Sequence, residues 1–222
     1  MEPPPTTPNP LETAKAHATL GERTEPRNLF RNAVNSDPKD YRAWLWLAYT
    51  AETQEEKRAA LYQALKLNPT AEKVRGEFKR MHTPAHLNNA AARGVFTCYH
   101  PSDDMFAIEM VERLKERQLP VWIDALEVAA DADWRAEVKA ALARCGMMLL
   151  VVSEAMIGGQ ETRAELDYFL SKGKIVLPIL YKDCDPTPLT LMHSMIDFRK
   201  DYKSGLRLLF ALLGITRQVG DR

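Results

Sequence analysis

The 222-residue chain has room for one large domain, or for a core domain with an appendage. Its 30 basic residues are balanced by 30 acidic ones, so no net charge draws it toward nucleic acid or an anionic membrane; local basic patches stay open, though no run of five or six like charges occurs. Its three cysteines, Cys98, Cys145 and Cys184, are widely spaced without a CxxC, which excludes a zinc knuckle and a disulfide framework. Cys145 falls at a buried helix position, where packing is its role. No stretch approaches the ~18 apolar residues of a membrane span. The opening MEPPPTTPNP has neither the basic region nor the apolar core of a signal peptide, so a cytoplasmic protein is expected.

Residues 1–10 hold five prolines and predict an extended tail. Residues 11–81 read as a helical domain with an internal repeat. NLFRNAVNSDP (Asn28 to Pro38) matches AALYQALKLNP (Ala59 to Pro69) in register, so that Phe30 pairs with Leu61 and Ala33 with Ala64. Each copy stops at an X-Pro step, which disfavours helix at the preceding residue. Between the copies, YRAWLWLAYTA places Trp44, Leu45, Leu47 and Ala48 in another helix. This region resembles the tetratricopeptide repeat (TPR), whose period is ~34 residues; the turn between helices here is about three residues shorter. Such units need stacked neighbours to bury their faces. The helical part is therefore expected to dock on the following domain, on another copy of the chain or on a protein partner; a plain bundle without a binding groove is the alternative. Residues 82–93, HTPAHLNNAAAR, read as a linker. His82 and His86 have helix-face spacing for a metal, but Pro84 interrupts it and no third ligand is near, so no metal is expected.

From Gly94 the pattern alternates strand and helix. GVFTCY (94–99) is a strand, followed by HPSDD, a turn and helix cap. Ala107, Met110, Val111 and Leu114 keep helical spacing. LPVWI (119–123) is a second strand, closed by Asp124. The polar loop ALEVAADAD leads to a helix with Trp134, Val138, Ala141, Leu142 and Cys145 on one face. Met147 to Val152 is a buried strand. A loop with Gly158 and Gly159 precedes a helix whose apolar face is Leu166, Phe169 and Leu170, with Glu165 at the margin of that stripe. Lys174 to Leu180 is a fourth strand, 195–198 a short fifth, and Leu206, Leu209, Phe210 and Leu213 mark a last helix. Strands apolar on both faces imply a parallel sheet covered on both sides, and the flavodoxin-like order 2-1-3-4-5 is expected. Neither GxGxxG nor GxxxxGK[ST] occurs, so a dinucleotide-binding Rossmann domain and a P-loop NTPase are poorly supported. A phospho-receiver would end its third strand in Asp, where Val152-Ser153 stands. Ligands of such sheets bind beyond the carboxyl ends of the strands, where Glu165 lies.

Residues 94–215 resemble a Toll/interleukin-1 receptor (TIR) domain of bacterial type. GVFTCYHPSDD resembles its first-strand motif, and PVWIDALEVAADADWRAEVKAALARC its second box with the BB loop. MMLLVVS followed by ELDYFLSKGKIVLPIL resembles the third strand, the glutamate-bearing helix and the fourth strand. IDFRKDYKSGLRLLFALLG resembles the carboxyl-terminal pattern, leaving 216–222 as a tail. The resemblance implies one of two functions. Some members are adaptors that assemble through BB loops and helices. Others cleave the nicotinamide–ribose bond of NAD+, releasing nicotinamide and linear or cyclic ADP-ribose, with a helix glutamate as the catalytic residue.

The residue matching that glutamate is Glu165; its other reading is a solvent-facing carboxylate at the favourable end of the helix dipole. NAD+ would be the substrate, with no further cofactor, and self-association would activate a defence or stress effector. The resemblance places Tyr99, His100, Asp124, Trp134 and Glu161 around the substrate. Tyr99 is either half-buried packing or a ligand contact, His100 a turn residue or a base, and Trp134 a core residue or a stacking surface. Three departures stand out: Glu161 replaces a frequent tryptophan, Cys98 replaces a serine, and Ala129, Ala130 and Ala132 stiffen a loop that commonly contains glycine.

Overall fold

The computed structural model describes residues 24–81, 83–185 and 195–215. The chain divides into two compact units, one of Met1–Phe78 with Ser171–Gly173, the other of Lys79–Leu170 with Lys174–Arg222.

The first unit is built from helices α1 (Thr24–Ser36), α2 (Tyr41–Tyr49), α3 (Gln54–Leu67) and α4 (Glu72–Arg80), the last crossing the division. Helices α1 and α3 stop at the two X-Pro steps, and the paired repeat positions Phe30 and Leu61 are both fully buried. Asp40 caps α2 by accepting from Arg42 N, and Thr53 caps α3 by accepting from Glu56 N. Phe30 stacks on Trp46 with ring centroids 5.7 Å apart. Trp44 lies partly exposed on α2 and donates its indole N–H to Pro38 O at 2.9 Å.

The second unit begins earlier than the sequence suggested. Within the expected linker, α5 (Pro84–Ala91) buries Leu87, Ala90 and Ala91 in the α/β core. Pro84 starts this helix, where its missing N–H costs nothing. The small alanine face permits close approach to the sheet, and a Cβ on Gly146 would fall 2.5 Å from Ala90 O. His82 lies outside the described residues, and His86 Nδ1 is 2.9 Å from Thr83 Oγ1.

Five parallel strands follow, β1 (Val95–Cys98), β2 (Val121–Trp122), β3 (Met147–Val152), β4 (Ile175–Leu180) and β5 (Ile196–Asp197), in the order β2-β1-β3-β4-β5. This is the flavodoxin-like order expected from the alternation of strands and helices. Every residue of β1, β3 and β4 is buried, as a sheet covered on both faces requires. The covering helices are α6 (Asp104–Lys115), α8 (Trp134–Arg144), α10 (Gln160–Ser171) and α11 (Tyr202–Leu212). Two short helices stand where loops were expected. α7 (Asp124–Glu127) opens the segment after β2, and α9 (Glu154–Gly158) follows β3, capped by Ser153 accepting from Met156 N at 3.2 Å. Among the described residues no helix is long and apolar enough to cross a membrane.

Candidate active site

The carboxyl ends of β1 and β2 face the start of α10 across a cleft of about 380 Å³. All six residues singled out from sequence line it: Tyr99 and His100 after β1, Asp124 after β2, Trp134 at the start of α8, and Glu161 and Glu165 on α10. Its apolar wall is Phe96 and Trp122, partners in the β1–β2 register whose rings stack with centroids 5.0 Å apart. Three carboxylates line the cleft and no Lys or Arg does, so it suits a cation.

Glu165 is half-buried, and its carboxyl pKa is pushed up to about 7. Burial is the main cause, because it penalises the charged form. A hydrogen bond from the Cys98 thiol opposes the shift, while Asp124 and Glu161 add to it by like-charge repulsion. Cys98 lies buried at the end of β1, and burial together with Glu165 pushes its thiol pKa well up. The thiol also reaches Thr162 O at 3.9 Å. Thr162, one turn before Glu165, donates its hydroxyl to Met156 O at 3.0 Å and Gly159 O at 3.1 Å. The turn carrying Glu165 is thus tied to α9, and through Ser153 to the end of β3. Ser153 in turn donates to the buried Asp103, which also accepts from Lys182 Nζ at 2.6 Å.

Asp124 is the other organising group. Its Oδ1 accepts from the Tyr99 hydroxyl at 2.7 Å and from Ala125 N at 2.9 Å, and its Oδ2 accepts from Trp134 Nε1 at 3.0 Å. Burial and this bond to a carboxylate push the Tyr99 phenol well above its ordinary value. Trp134 is 37 % exposed, so it walls the cleft, while Val138, one turn on, enters the core. His100 caps the turn Pro101–Asp103, its Nδ1 accepting from Ser102 N at 3.2 Å. Glu161 is exposed at the rim.

Sequence reasoning missed Phe96, Trp122, Cys98 and Thr162 as parts of this site. A strand buried on both faces carries no polarity signal for which side chains reach a cleft. Alternation along β1 alone could have placed Phe96 and Cys98 on one face. Among the described residues no group of three or more His, Cys, Asp or Glu is arranged to hold a metal.

The chain is 25 % identical over 109 residues to the NAD(+) hydrolase TcpA of Theionarchaea archaeon (strain DG-70-1), a match covering 47 % of this chain and 33 % of that protein. The chain thus spans about a third of that relative's length. Among solved structures, the TIR domain of the Toll-related receptor TRR-2 from Hydra magnipapillata is similar at 22 % identity and a TM-score of 0.47, covering 54 % of this chain and 97 % of that one. The family model for the TIR domain matches residues 95–210. That span takes in the whole sheet and every residue lining the cleft, and the chain belongs to the TIR domain family.

Proposed function

We propose that the chain is an NAD+ glycohydrolase that breaks the nicotinamide–ribose bond, with Glu165 as the carboxylate beside the reacting carbon. The observation that carries this reading is Glu165 itself, a half-buried carboxylate with its pKa pushed up to about 7 in an anionic, aromatic-walled cleft. The name of the archaeal relative supports the same substrate.

The chemistry follows from the charges. Nicotinamide in NAD+ is a cationic pyridinium, which an anionic cleft without competing cations attracts. When the bond breaks, both its electrons pass to the ring nitrogen and nicotinamide leaves neutral. Positive charge moves onto the ribosyl carbon and its ring oxygen, where ionised Glu165 stabilises it. Water then adds to the carbon and gives up a proton to Glu165 or to solvent, leaving ADP-ribose; attack by a nucleophile of the same ADP-ribosyl group would give a cyclic product. An ordinary glycosidase needs a second carboxyl group to protonate its leaving group; a neutral leaving group removes that need. Asp124 Oδ2 accepts the Trp134 indole and retains a lone pair for a ribose hydroxyl. Trp134, 37 % exposed on the cleft wall, supplies the accessible aromatic surface for the pyridinium. Because a nearby cation favours the ionised acid, substrate binding releases a proton from Glu165.

The test is chromatographic measurement of nicotinamide released from NAD+ by concentrated protein, with Glu165→Ala alongside. Release that the substitution abolishes supports the reading; equal release by both proteins overturns it. A second reading, a non-catalytic module that assembles through the segment after β2, is favoured by two apolar side chains near that edge. Met105 is 83 % exposed and Leu126 45 % exposed. It predicts concentration-dependent light scattering with no nicotinamide at any protein concentration. In the enzyme reading the same surfaces serve activation by self-association in a defence or stress response, and the helical unit engages a partner or a further copy.

A further inference from the structure

A second and larger cavity, of about 650 Å³, lies between the end of α6 and α11 and shares no lining residue with the Glu165 cleft. Its floor is apolar, from Leu206, Phe210 and Ile215. Its rim is basic. Arg113 lies in the last turn of α6 and Arg117 in the turn just beyond it, while Lys203 and Arg207 stand four apart on one face of α11. The Arg117 guanidinium lies over the Phe210 ring at 4.5 Å, a planar cation stacked on an aromatic floor.

The carboxylates beside these cations are already engaged. Glu116 pairs with Arg113 at 3.3 Å, an exposed contact of little energetic worth. Asp201 caps α11, accepting from Lys203 N and Ser204 N at 3.1 Å each and from the Ser204 hydroxyl. Four cations thus face two acids around an apolar floor of small-molecule size. A half-open groove of this size with a guanidinium lying over an aromatic ring fits a flat ring carrying anionic groups.

We infer that this groove binds a nucleotide, its base against the Arg117–Phe210 stack and Leu206, its phosphates on Lys203, Arg207 and Arg113. Phosphate recognition by such cations is charge-assisted and directional, and base stacking on the ring and guanidinium adds a contact that phosphate alone cannot make. The inference does not rest on the role of Glu165.

Calorimetric titration of the full chain with ADP tests it, because ADP has no nicotinamide bond to break. One ADP is expected to bind in this groove, with affinity lowered at least about tenfold in the double variant K203A/R207A and unchanged in the surface control Lys139→Ala. Adenosine and inorganic pyrophosphate are each expected to bind more weakly than ADP. Circular dichroism checks that the surface double variant is folded. Four results overturn the inference: no binding of ADP, ADP binding that survives K203A/R207A, ADP binding lost equally in Lys139→Ala, or pyrophosphate binding equal to that of ADP. Weaker self-association of the double variant, in a protein that takes up no ADP, would assign this face to a second copy instead.

Discussion

Replacing Glu165 with Gln should stabilise the α/β unit, increasingly so as pH rises. Glutamine keeps the shape of the side chain, and its amide oxygen still accepts from the Cys98 thiol, but it carries no charge for burial to penalise. The wild-type carboxyl moves from an ordinary 4.5 to about 7 on folding, so the folded state holds the proton more tightly than the unfolded chain does. The stability this contributes is fully present below about pH 4.5 and is lost as pH rises through about 7. At about 1.4 kcal/mol per pKa unit, the loss amounts to about 3 kcal/mol by pH ~8.5. Glu165→Gln escapes that loss. For a unit of this size, about 3 kcal/mol corresponds to a rise of roughly 6–12 °C in Tm. Scanning calorimetry of both proteins at a series of pH values should show coincident transitions of the α/β unit near pH ~4.5 and a gap that opens through pH ~7. A variant equal to or less stable than wild type at pH ~8.5 would refute the argument, since it would mean that Glu165 ionises in the fold as easily as in water.

Three other outcomes follow from the same geometry. The value of kcat/KM for NAD+ should climb with pH and level off above about 7, because the ionised carboxylate is the reactive form; a flat profile across that range contradicts the assignment. Removing the thiol donor by Cys98→Ala should move that limb to higher pH, whereas Cys98→Ser, which still donates, should hold it near the wild-type position; a limb unmoved by alanine would show that Cys98 does not tune Glu165. Thr162→Val should cost about 1 kcal/mol in urea melts, through loss of the hydroxyl's bonds to Met156 O and Gly159 O, each of which keeps a backbone N–H donor, and should lower activity in protein that remains folded. Full activity in that variant would separate the α9–α10 tie from the placement of Glu165.

Much of this site was legible in the sequence because strand ends are. The apolar runs 94–99, 119–123 and 147–152 stop at Tyr99, Asp124 and Ser153, and in a parallel sheet those stops share one edge. Glu165 was visible as a carboxylate at the margin of a buried helical face. The rest depended on contacts that periodicity does not encode. Helix α5 reads as a linker because histidine, proline and asparagine interrupt it, yet Leu87, Ala90 and Ala91 find their burial against strands that come later in the chain. Trp134 fits the apolar stripe of α8, but its indole is drawn to Asp124, ten residues earlier, and stays at the surface. The raised pKa of Glu165 arises mainly from its burial, with Asp124 adding to it and Cys98 opposing it, both brought to it from distant positions. The basic groove likewise joins Arg113 to Arg207 through packing of α6 against α11.

The central claim is that the charge of Glu165 drives cleavage of the nicotinamide–ribose bond. Proton NMR of NAD+ incubated with the full chain at several protein concentrations, wild type beside Glu165→Gln, measures this directly. Free nicotinamide should appear with wild type, faster per chain as the protein is concentrated, and should be absent with the variant even though the variant is the more stable protein. Nicotinamide from the variant at the wild-type rate, or none from wild type at any concentration, would contradict the account.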